Sequence, residues 1–195
     1  QTGGDLNDYA TSGATALAYL RGLIDDGSMS EAVTNYTQED ARTQFITGKS
    51  AMMINGPWEL ATLTKDAKFD WDVAPLPKDK RAATSMGGEN VVVMNGAKQS
   101  DAAVKLAKFL TSAEGAKIYC DGSGQLSSRP DLQGKLKLSN DAKLKVFESQ
   151  LADAHARAYG KDYPKISEAI QLSMQEALTG ASTPEAAAKK AADTI

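Results

Sequence analysis

Short apolar runs alternate along this chain with longer segments of helical periodicity, and this alternation is the strongest constraint on its fold. Two of the runs, residues 51–54 and 91–94, are typical of buried strands because each is apolar throughout and adjoins a turn. Residues 69–76 instead alternate apolar and polar side chains and end at Pro77, a pattern that predicts an edge strand. Strands interleaved with helices in this way predict an α/β fold.

Helices are predicted where apolar residues recur every three to four positions between capping and stop signals. Asp26-Gly27 closes the first helix, and Ser100-Asp101 caps another. A capping box with Ser182 three residues before Glu185 begins the last, alanine-rich helix. The predicted helices cover residues 8–26, 39–46, 58–63, 100–110, a shorter stretch from 113 onwards, 141–159, 164–178 and the segment that follows 182.

Composition excludes several classes of protein. The 22 Lys and Arg nearly balance the 25 Asp and Glu, so the net charge of -3 gives no electrostatic reason to expect a nucleic-acid partner. One cysteine and one histidine make neither an internal disulfide nor a cysteine-rich metal site, and we expect no metal and no cofactor. No apolar run approaches the ~20 residues of a membrane span. Residues 1–5 lack the features of a signal peptide, so either the protein is cytosolic or any signal peptide lies outside this sequence.

The common catalytic motifs are missing from the sequence. Gly48-Lys49-Ser50 looks like the end of a phosphate loop, but Thr43 stands where that motif needs a glycine. Gly122-Ser123-Gly124 lacks the spacing of a nucleophile elbow. His155 is predicted to be a surface residue in the middle of a helix, and Cys120 a buried, inert thiol. We therefore expect a protein without enzymatic activity, although a hydrolase built from two distant carboxylates would leave no local spacing and stays open.

Two turns beside the predicted strands carry the candidate binding residues. Trp58 follows the turn that ends the first strand, where its flat face can line a cleft and pack against the C–H face of a sugar. Packing at the start of a helix explains Trp58 equally well. Gly87 and Gly88 let the backbone approach a ligand closely, and Glu89 and Asn90 offer hydrogen-bonding groups to its hydroxyls. The alternative for these four residues is a plain loop before the second strand.

The order of these segments resembles the bacterial extracellular solute-binding proteins of family 1, the maltose-binding-like proteins of carbohydrate ABC transporters. The block that carries the resemblance spans residues 45–58 and reads Phe-Ile-Thr-Gly-Lys-Ser-Ala-Met-Met-Ile-Asn-Gly-Pro-Trp. The match covers nearly the whole chain, as the C-terminal portion of such a protein. It continues through Ala74-Pro75-Leu76-Pro77, Gly87-Gly88-Glu89-Asn90, residues 102–112 with Gly115, Gly124-Gln125-Leu126 before Arg129-Pro130, and the final pair of helices.

The resemblance implies a periplasmic-binding-protein-like fold of type II, in which two α/β lobes close around a sugar and the closed form docks on the permease subunits of an importer. In this family the residue that matches Trp58 stacks on the ligand, and the turn that matches residues 87–90 lines the same cleft. The loop with Arg129 can add a polar group. Ile170 and Gln171 stand where the maltose-binding archetype has aromatic residues, which puts maltodextrin in doubt as the ligand.

The resemblance also implies an incomplete fold, because family members are roughly twice as long. Residues 1–90 would form the first part of the C-terminal lobe, residues 91–143 a segment of the N-terminal lobe, and residues 144–195 the final helices of the C-terminal lobe. Such a chain is expected to be a fragment that can self-associate. Its expected location is extracellular or periplasmic, with a lipid anchor at a missing N-terminus as one option.

The leading hypothesis is a non-catalytic protein that binds a carbohydrate, an oligosaccharide in the first instance, and delivers it to an ABC-type importer. Three alternatives stay open. A binding protein for another solute, such as a phosphorylated polyol, requires Arg129 or residues 78–81 to face the ligand. A carboxylate-dependent α/β hydrolase requires two carboxylates with perturbed pKa values across a cleft. A pure interaction domain requires Trp58 to be buried in the core.

Overall fold

The computed structural model describes residues 6–137, 139–157 and 160–195, and over these residues the chain is mainly helical. The α-helices are α1 (Ala14–Asp25), α2 (Gln38–Ile46), α3 (Leu60–Asp66), α4 (Ser100–Leu110), α5 (Ala113–Ser123), α6 (Ala142–Gln150), α7 (Tyr163–Leu178) and α8 (Pro184–Ala192), and the strands are β1 (Thr84–Met86) and β2 (Ala154–Ala156). Short 3₁₀ turns cover Leu6–Asp8, Glu31–Asn35, Pro57–Glu59, Pro130–Leu132 and Leu151–Asp153, and a π-helical turn covers Tyr9–Gly13. None of the described helices is long and apolar enough to cross a membrane.

The chain divides into two compact units, each assembled from segments that are distant in sequence. Unit 1 comprises the described residues of Gln1–Ala41, together with Leu76–Ser85 and Asp153–Ile195. Unit 2 comprises Arg42–Pro75 and Met86–Ala152. All of the candidate binding residues, from Trp58 to Arg129, belong to unit 2.

Unit 1 is built on helices that pack through alanines. Its buried cluster consists of Ala14, Leu17, Ala177, Ala187 and Ala188, with Tyr9 packed against it. Small side chains let the axes of α1, α7 and α8 approach closely, and a buried alanine loses no rotamer freedom on folding. Two long-range contacts fix this arrangement: Tyr9 Oη lies 2.9 Å from Ser173 Oγ, and Arg21 Nη1 donates to the Leu178 carbonyl at 2.8 Å.

Unit 2 contains a tight corner between α4 and α5. Ser112 caps α5, and its Oγ accepts the Gly115 N–H at 3.2 Å. Gly115 lies against the backbone of Phe109 so closely that the structure has no room for a Cβ there. At its other end α5 stops at Gly124, whose φ of 71° is in the left-handed region that favours glycine.

A second core lies beneath α5. Cys120 packs with Leu132 and Leu136 in a buried cluster. Asp121 ties the same segment down, because its carboxylate accepts from Lys117 Nζ at 2.8 Å and from the Lys137 N–H at 2.6 Å. The Lys117 hydrogen bond is the main cause that lowers the pKa of Asp121 below its ordinary value. The loop after α5 is therefore held by both apolar and charged contacts.

The strands predicted at 51–54, 69–76 and 91–94 are wrong for the described structure, which has no strand there. Met52 and Val92 are 84% and 70% exposed, so the runs are not buried either. A strand forms only where a neighbouring segment satisfies its backbone N–H and C=O groups. No described segment pairs with these runs, and apolar composition alone does not reveal whether a partner is present.

The C-terminal helices differ from prediction at two boundaries. The helix predicted over 141–159 ends at Gln150, and a 3₁₀ turn leads into β2, which pairs with β1. His155 is exposed as predicted but lies in this strand rather than in a helix, and residues 158–159 fall outside the described residues. The N-cap of α8 is Thr183, not Ser182, because the extended backbone at Thr183 lets its Oγ1 accept the Ala186 N–H at 3.2 Å. The other helix predictions are confirmed within a few residues.

Candidate functional site

Trp58 lies in the 3₁₀ turn Pro57–Glu59 that leads into α3. Pro57 occupies the first position of this turn, where its missing N–H costs no hydrogen bond. Pro57 and Glu59 are buried on either side, whereas Trp58 is 38% exposed. The turn therefore buries its flanking residues and directs the indole outward. This exposure argues against a pure interaction domain, which required Trp58 in the core.

The indole is held at two points. Trp58 Nε1 donates to Asn55 Oδ1 at 3.1 Å. Its six-membered ring lies directly over Gly56, where an added Cβ would overlap three ring carbons. Asn55 Oδ1 also accepts the Gly56 N–H at 2.9 Å, so one side-chain oxygen organises both the turn and the ring. Part of the ring is covered by its own chain, and the rest faces solvent.

An ion pair between a buried glutamate and a half-buried arginine lies behind this turn. Glu59 is 3% exposed, and its Oε2 accepts from Arg42 Nη1 at 3.0 Å. Its other oxygen, Oε1, accepts from Asn55 Nδ2 at 3.3 Å. A buried carboxylate is costly unless it is paired and hydrogen-bonded, and both conditions are met here. The contacts form a continuous chain from α2 through Glu59 and Asn55 to the indole.

The turn of Gly87, Gly88, Glu89 and Asn90 lies outside helices and strands, and all four residues are exposed. Gly88 has a φ of 149° with open space around its Cβ position, a backbone conformation that only glycine adopts readily. Neither the Glu89 nor the Asn90 side chain is hydrogen-bonded or ion-paired to any part of the chain that the structure describes. The carboxylate and the amide are therefore available to a ligand.

Arg129 is engaged within the chain. Its Nε and Nη2 donate to the two carboxylate oxygens of Asp131, each at 3.0 Å, and its Nη1 donates to the Thr111 carbonyl at 2.9 Å. The guanidinium hydrogen bonds are the main cause that lowers the pKa of Asp131. Arg129 thus joins the loop after α5 to the end of α4, and its positive charge is neutralised in place.

The structure joins no two of the six candidate residues, Trp58, Gly87, Gly88, Glu89, Asn90 and Arg129, by a hydrogen bond or an ion pair within the described ranges. It does bring the loop that leads to Arg129 next to the Trp58 turn. A Cβ placed on Gly124 would lie 3.4 Å from the Pro57 carbonyl oxygen and 3.9 Å from the Trp58 Cα. The shared ligand contact of the six residues stays a prediction.

Sequence reasoning missed Asn55, Glu59 and Arg42 as parts of the site. A local signal existed for two of them, because Asn55 precedes Trp58 by three positions and Glu59 by four, the spacing at which side chains meet on a helical turn. Arg42 lies 17 positions before Glu59 and has no local signal. Only the packing of α2 against the turn reveals it.

The shifted carboxyls give no support to acid catalysis. The pKa values of Asp26, Asp40, Asp72, Asp121 and Asp131 all lie below the ordinary value, in each case mainly because hydrogen-bond donors stabilise the charged form. A general acid needs a raised pKa instead. Among the described residues, no three His, Cys, Asp or Glu side chains are grouped so that they could hold a metal ion.

Cys120 is buried in α5, and burial raises the pKa of its thiol above the ordinary value of 9.0. At pH 8 we expect it to react with iodoacetamide at least ~10-fold more slowly in the native protein than in urea, since the thiolate is the nucleophile. In the unfolded chain the Cys120 thiol loses its proton at a lower pH than in the folded protein, because it is no longer buried. The free energy of unfolding should therefore fall as the pH rises from about 9 through the higher folded pKa.

Labelling rates followed by mass spectrometry, and urea unfolding curves between pH 7.5 and 10, check both statements. Cys120→Ser is the control, in which the thiol contribution to the pH dependence disappears. Native labelling as fast as in urea would show that the thiol is accessible.

Comparison with known proteins places these features in context. A family model described as bacterial extracellular solute-binding protein matches residues 1–146. The chain is 33% identical over 103 residues to a maltooligosaccharide ABC transporter solute-binding lipoprotein of Streptococcus pneumoniae serotype 4, a match that covers 51% of this chain and 24% of that protein. The chain spans about half the length of the curated relatives that it matches along most of its sequence, 46% for a protein of Brucella abortus.

Two solved structures match almost the entire chain. The maltose-bound MalE3 protein of T. maritima is 30% identical, with a TM-score of 0.82 over 98% of this chain and 53% of that chain. An ABC transporter solute-binding protein of Thermotoga lettingae bound with α-D-tagatose is 32% identical, with a TM-score of 0.82 over 95% of this chain and 48% of that chain. The predicted fold, part of a type II periplasmic-binding-protein fold, is thereby confirmed. The lobe boundaries at residues 90 and 143 stay a prediction.

Proposed function

The chain belongs to the bacterial extracellular solute-binding protein family, and on that premise we propose that it forms part of a carbohydrate-binding protein that serves an ABC-type importer. The observation that carries the proposal is the match along 98% of the chain, at a TM-score of 0.82, to a protein with maltose bound. The second solved neighbour also holds a neutral sugar. The proposed ligand is therefore an uncharged mono- or oligosaccharide.

In this proposal Trp58 supplies the aromatic surface on which a sugar ring packs. Its 38% exposure leaves indole area available, and apolar C–H groups of the sugar would cover it. Glu89 accepts hydrogen bonds from sugar hydroxyls, and Asn90 both accepts and donates them. The Gly87-Gly88 backbone lets the ligand approach closely. Glu89 and Asn90 would provide the selectivity between sugars, since a ligand that leaves one of these polar groups buried and unpaired loses ~1–3 kcal/mol of binding free energy.

Arg129 is assigned a lesser role as a polar contact. Three of the five guanidinium N–H groups bind Asp131 and Thr111, so two donors remain for a hydroxyl. The bidentate contact with Asp131 neutralises its charge. A phosphorylated polyol, the main alternative ligand, needs an uncompensated cation. Arg129 does not provide one, which leaves that role to residues 78–81. This arrangement favours a neutral ligand.

We place the protein outside the cytoplasmic membrane, in the location of its family, and assign it no catalytic step. The resolved pKa shifts of its aspartates are all downward, whereas the general acid of a carboxylate-dependent hydrolase needs a raised pKa. The permease subunits of the importer are the proposed partners of the sugar-loaded form. A lipid anchor and self-association of the chain stay predictions.

The test is a titration of the protein at its natural length with maltose, a longer maltooligosaccharide, tagatose and a hexose phosphate. Tryptophan fluorescence and calorimetry follow the binding. We expect a saturable response to at least one neutral sugar and none to the hexose phosphate. No response to any neutral sugar would contradict the proposal, and a response to the phosphate alone would favour the alternative ligand.

A further inference from the structure

The side-chain amide of Asn55 lies between the indole of Trp58 and the ion pair of Glu59 with Arg42. Stacking of a sugar on Trp58 does not by itself explain this position. We propose that Asn55, oriented by Glu59 and Arg42, is a positioning residue that fixes the Trp58 indole in the orientation in which it stacks on a sugar. This inference rests on the proposed function for its effect on affinity. Its effect on the indole itself is independent of any ligand.

The orientation of the amide follows from the chemistry of its neighbours. A carboxylate only accepts hydrogen bonds, so the Asn55 group that faces Glu59 Oε1 at 3.3 Å must be the Nδ2 donor. Oδ1 then faces the other way, where it meets two donors: Trp58 Nε1 at 3.1 Å and the Gly56 N–H at 2.9 Å. A flipped amide would place Nδ2 against these two donors and Oδ1 against the carboxylate oxygen of Glu59, so none of the three hydrogen bonds would form. The contacts with Glu59, Trp58 and Gly56 therefore agree with one orientation of the amide.

The anchor of this arrangement is a buried carboxylate whose charge is balanced by a half-buried arginine. Glu59 is 3% exposed, and Arg42 Nη1 holds its Oε2 at 3.0 Å. Arg42 lies in the part of α2 that belongs to unit 2, and Glu59 lies in the turn before α3, so the anchor joins two segments of unit 2. Asn55 is half-buried and held by hydrogen bonds on both sides, so its amide has little freedom to rotate.

Two fixed points restrict the indole. The Asn55 oxygen holds the pyrrole end through Nε1, and Gly56 supports the six-membered ring from below. A single pivot would leave the ring free to turn about it, whereas two separated supports define a plane. A surface that is already in its bound orientation does not lose side-chain entropy when the ligand arrives. Affinity should therefore depend on Asn55 even though Asn55 itself need not touch the sugar.

The first measurement needs no ligand. In a background in which Trp71 and any other tryptophan of the tested protein are replaced by phenylalanine, the fluorescence reports Trp58 alone. Asn55→Ala is expected to increase acrylamide quenching of Trp58 and to lower its fluorescence anisotropy, because the indole loses one support. Asn35→Ala is the matched control, since Asn35 is an exposed asparagine in unit 1 whose side chain, among the described residues, donates only to Thr34. Unchanged quenching and anisotropy in Asn55→Ala would overturn the proposal.

The second measurement is a double-mutant cycle on the Kd for the sugar identified by titration. Asn55→Ala is expected to raise the Kd roughly five- to tenfold, the effect of losing one well-placed hydrogen bond. In a Trp58→Phe background, which keeps an aromatic face but has no indole N–H, the same substitution should change the Kd less than about twofold. An equal loss in both backgrounds would show that Asn55 does not act through the indole and would overturn the proposal.

A second substitution guards against misfolding of the alanine variant. Asn55→Ser keeps an oxygen that can accept the Gly56 N–H but is too short to reach the indole. Asn55→Ser should preserve the turn and should still show the increased quenching and the raised Kd that are expected of Asn55→Ala. If the unsubstituted protein binds no sugar at all, the proposed function fails, and the quenching experiment still decides whether Asn55 positions the indole.

Discussion

Replacement of Trp58 by alanine is expected to raise the Kd for the sugar ligand about 100-fold with little change in stability. The indole supplies the largest apolar surface among the candidate binding residues, and truncation of an aromatic residue at the centre of a binding site costs ~2–4 kcal/mol. At 1.4 kcal/mol for each factor of ten, that cost corresponds to roughly 30- to 700-fold in Kd. The indole is 38% exposed in the free protein, so its removal leaves only a modest defect in packing.

Trp71→Ala is the matched control for this substitution. Trp71 is the second tryptophan of unit 2, and Lys143 Nζ lies 4.8 Å from the centre of its ring. Its loss removes a cation–π contact and some stability but should leave the Kd within about twofold. Calorimetric titration of both variants, with thermal unfolding measured in parallel, provides the comparison. Equal affinity of Trp58→Ala and the unsubstituted protein would remove Trp58 from the binding site and leave the carbohydrate proposal to the other residues.

Gly115→Ala is expected to lower the free energy of unfolding by about 3 kcal/mol or more. A Cβ at this position would overlap the Phe109 carbonyl oxygen and would lie 2.8 Å from the Phe109 carbonyl carbon and 3.0 Å from the Leu110 Cα. These are backbone atoms, so no side-chain rotation relieves the overlap. The corner between α4 and α5 would have to open, with loss of the Ser112 cap on the Gly115 N–H.

Gly122 offers a control within the same helix. An added Cβ there would meet no atom within 4 Å, and its φ is not positive. Gly122→Ala should therefore raise the free energy of unfolding by ~0.5–1 kcal/mol, the ordinary gain from replacing a helical glycine. Urea unfolding followed by circular dichroism gives both values. Similar stabilities for the two variants would mean that the corner accommodates a methyl group and that the close contact at Gly115 is not required.

The helices could be predicted from the sequence because their signals are local. The capping residues Ser112 and Asp141, and the left-handed Gly124, act within one turn of the helix that they bound. The strands could not be predicted in the same way. Residues 51–54 and 91–94 have the composition of buried strands, yet neither run is paired in the described structure, whereas 154–156, inside a predicted helix, pairs with β1. Pairing depends on what lies beside a segment, and the segment itself does not encode its neighbour.

In the candidate site, too, local features could be predicted from the sequence, whereas contacts between side chains could not. The position of Trp58 after an Asn-Gly-Pro turn left two roles open, an exposed aromatic residue in a cleft and a packing residue at a helix start. The structure places Trp58 38% exposed at that turn. The family resemblance indicated Arg129 as a polar contact for the ligand, and the fold pairs it with Asp131. Asp131 lies only two positions further on, so the pair was visible in the sequence as a possibility. Only the tertiary structure showed that Arg129 is paired with the Asp131 carboxylate.

The sequence by itself determined the family, the helical segments and the aromatic residue on which the proposed function depends, because each of these is written in a contiguous motif. Only the tertiary structure decided that a buried Glu59 would meet Arg42, 17 positions away, and would thereby orient Asn55 at the Nε1 edge of the indole. The physical reason is that a buried charge needs a partner in space, and the partner can come from any part of the chain that the fold brings within hydrogen-bond distance.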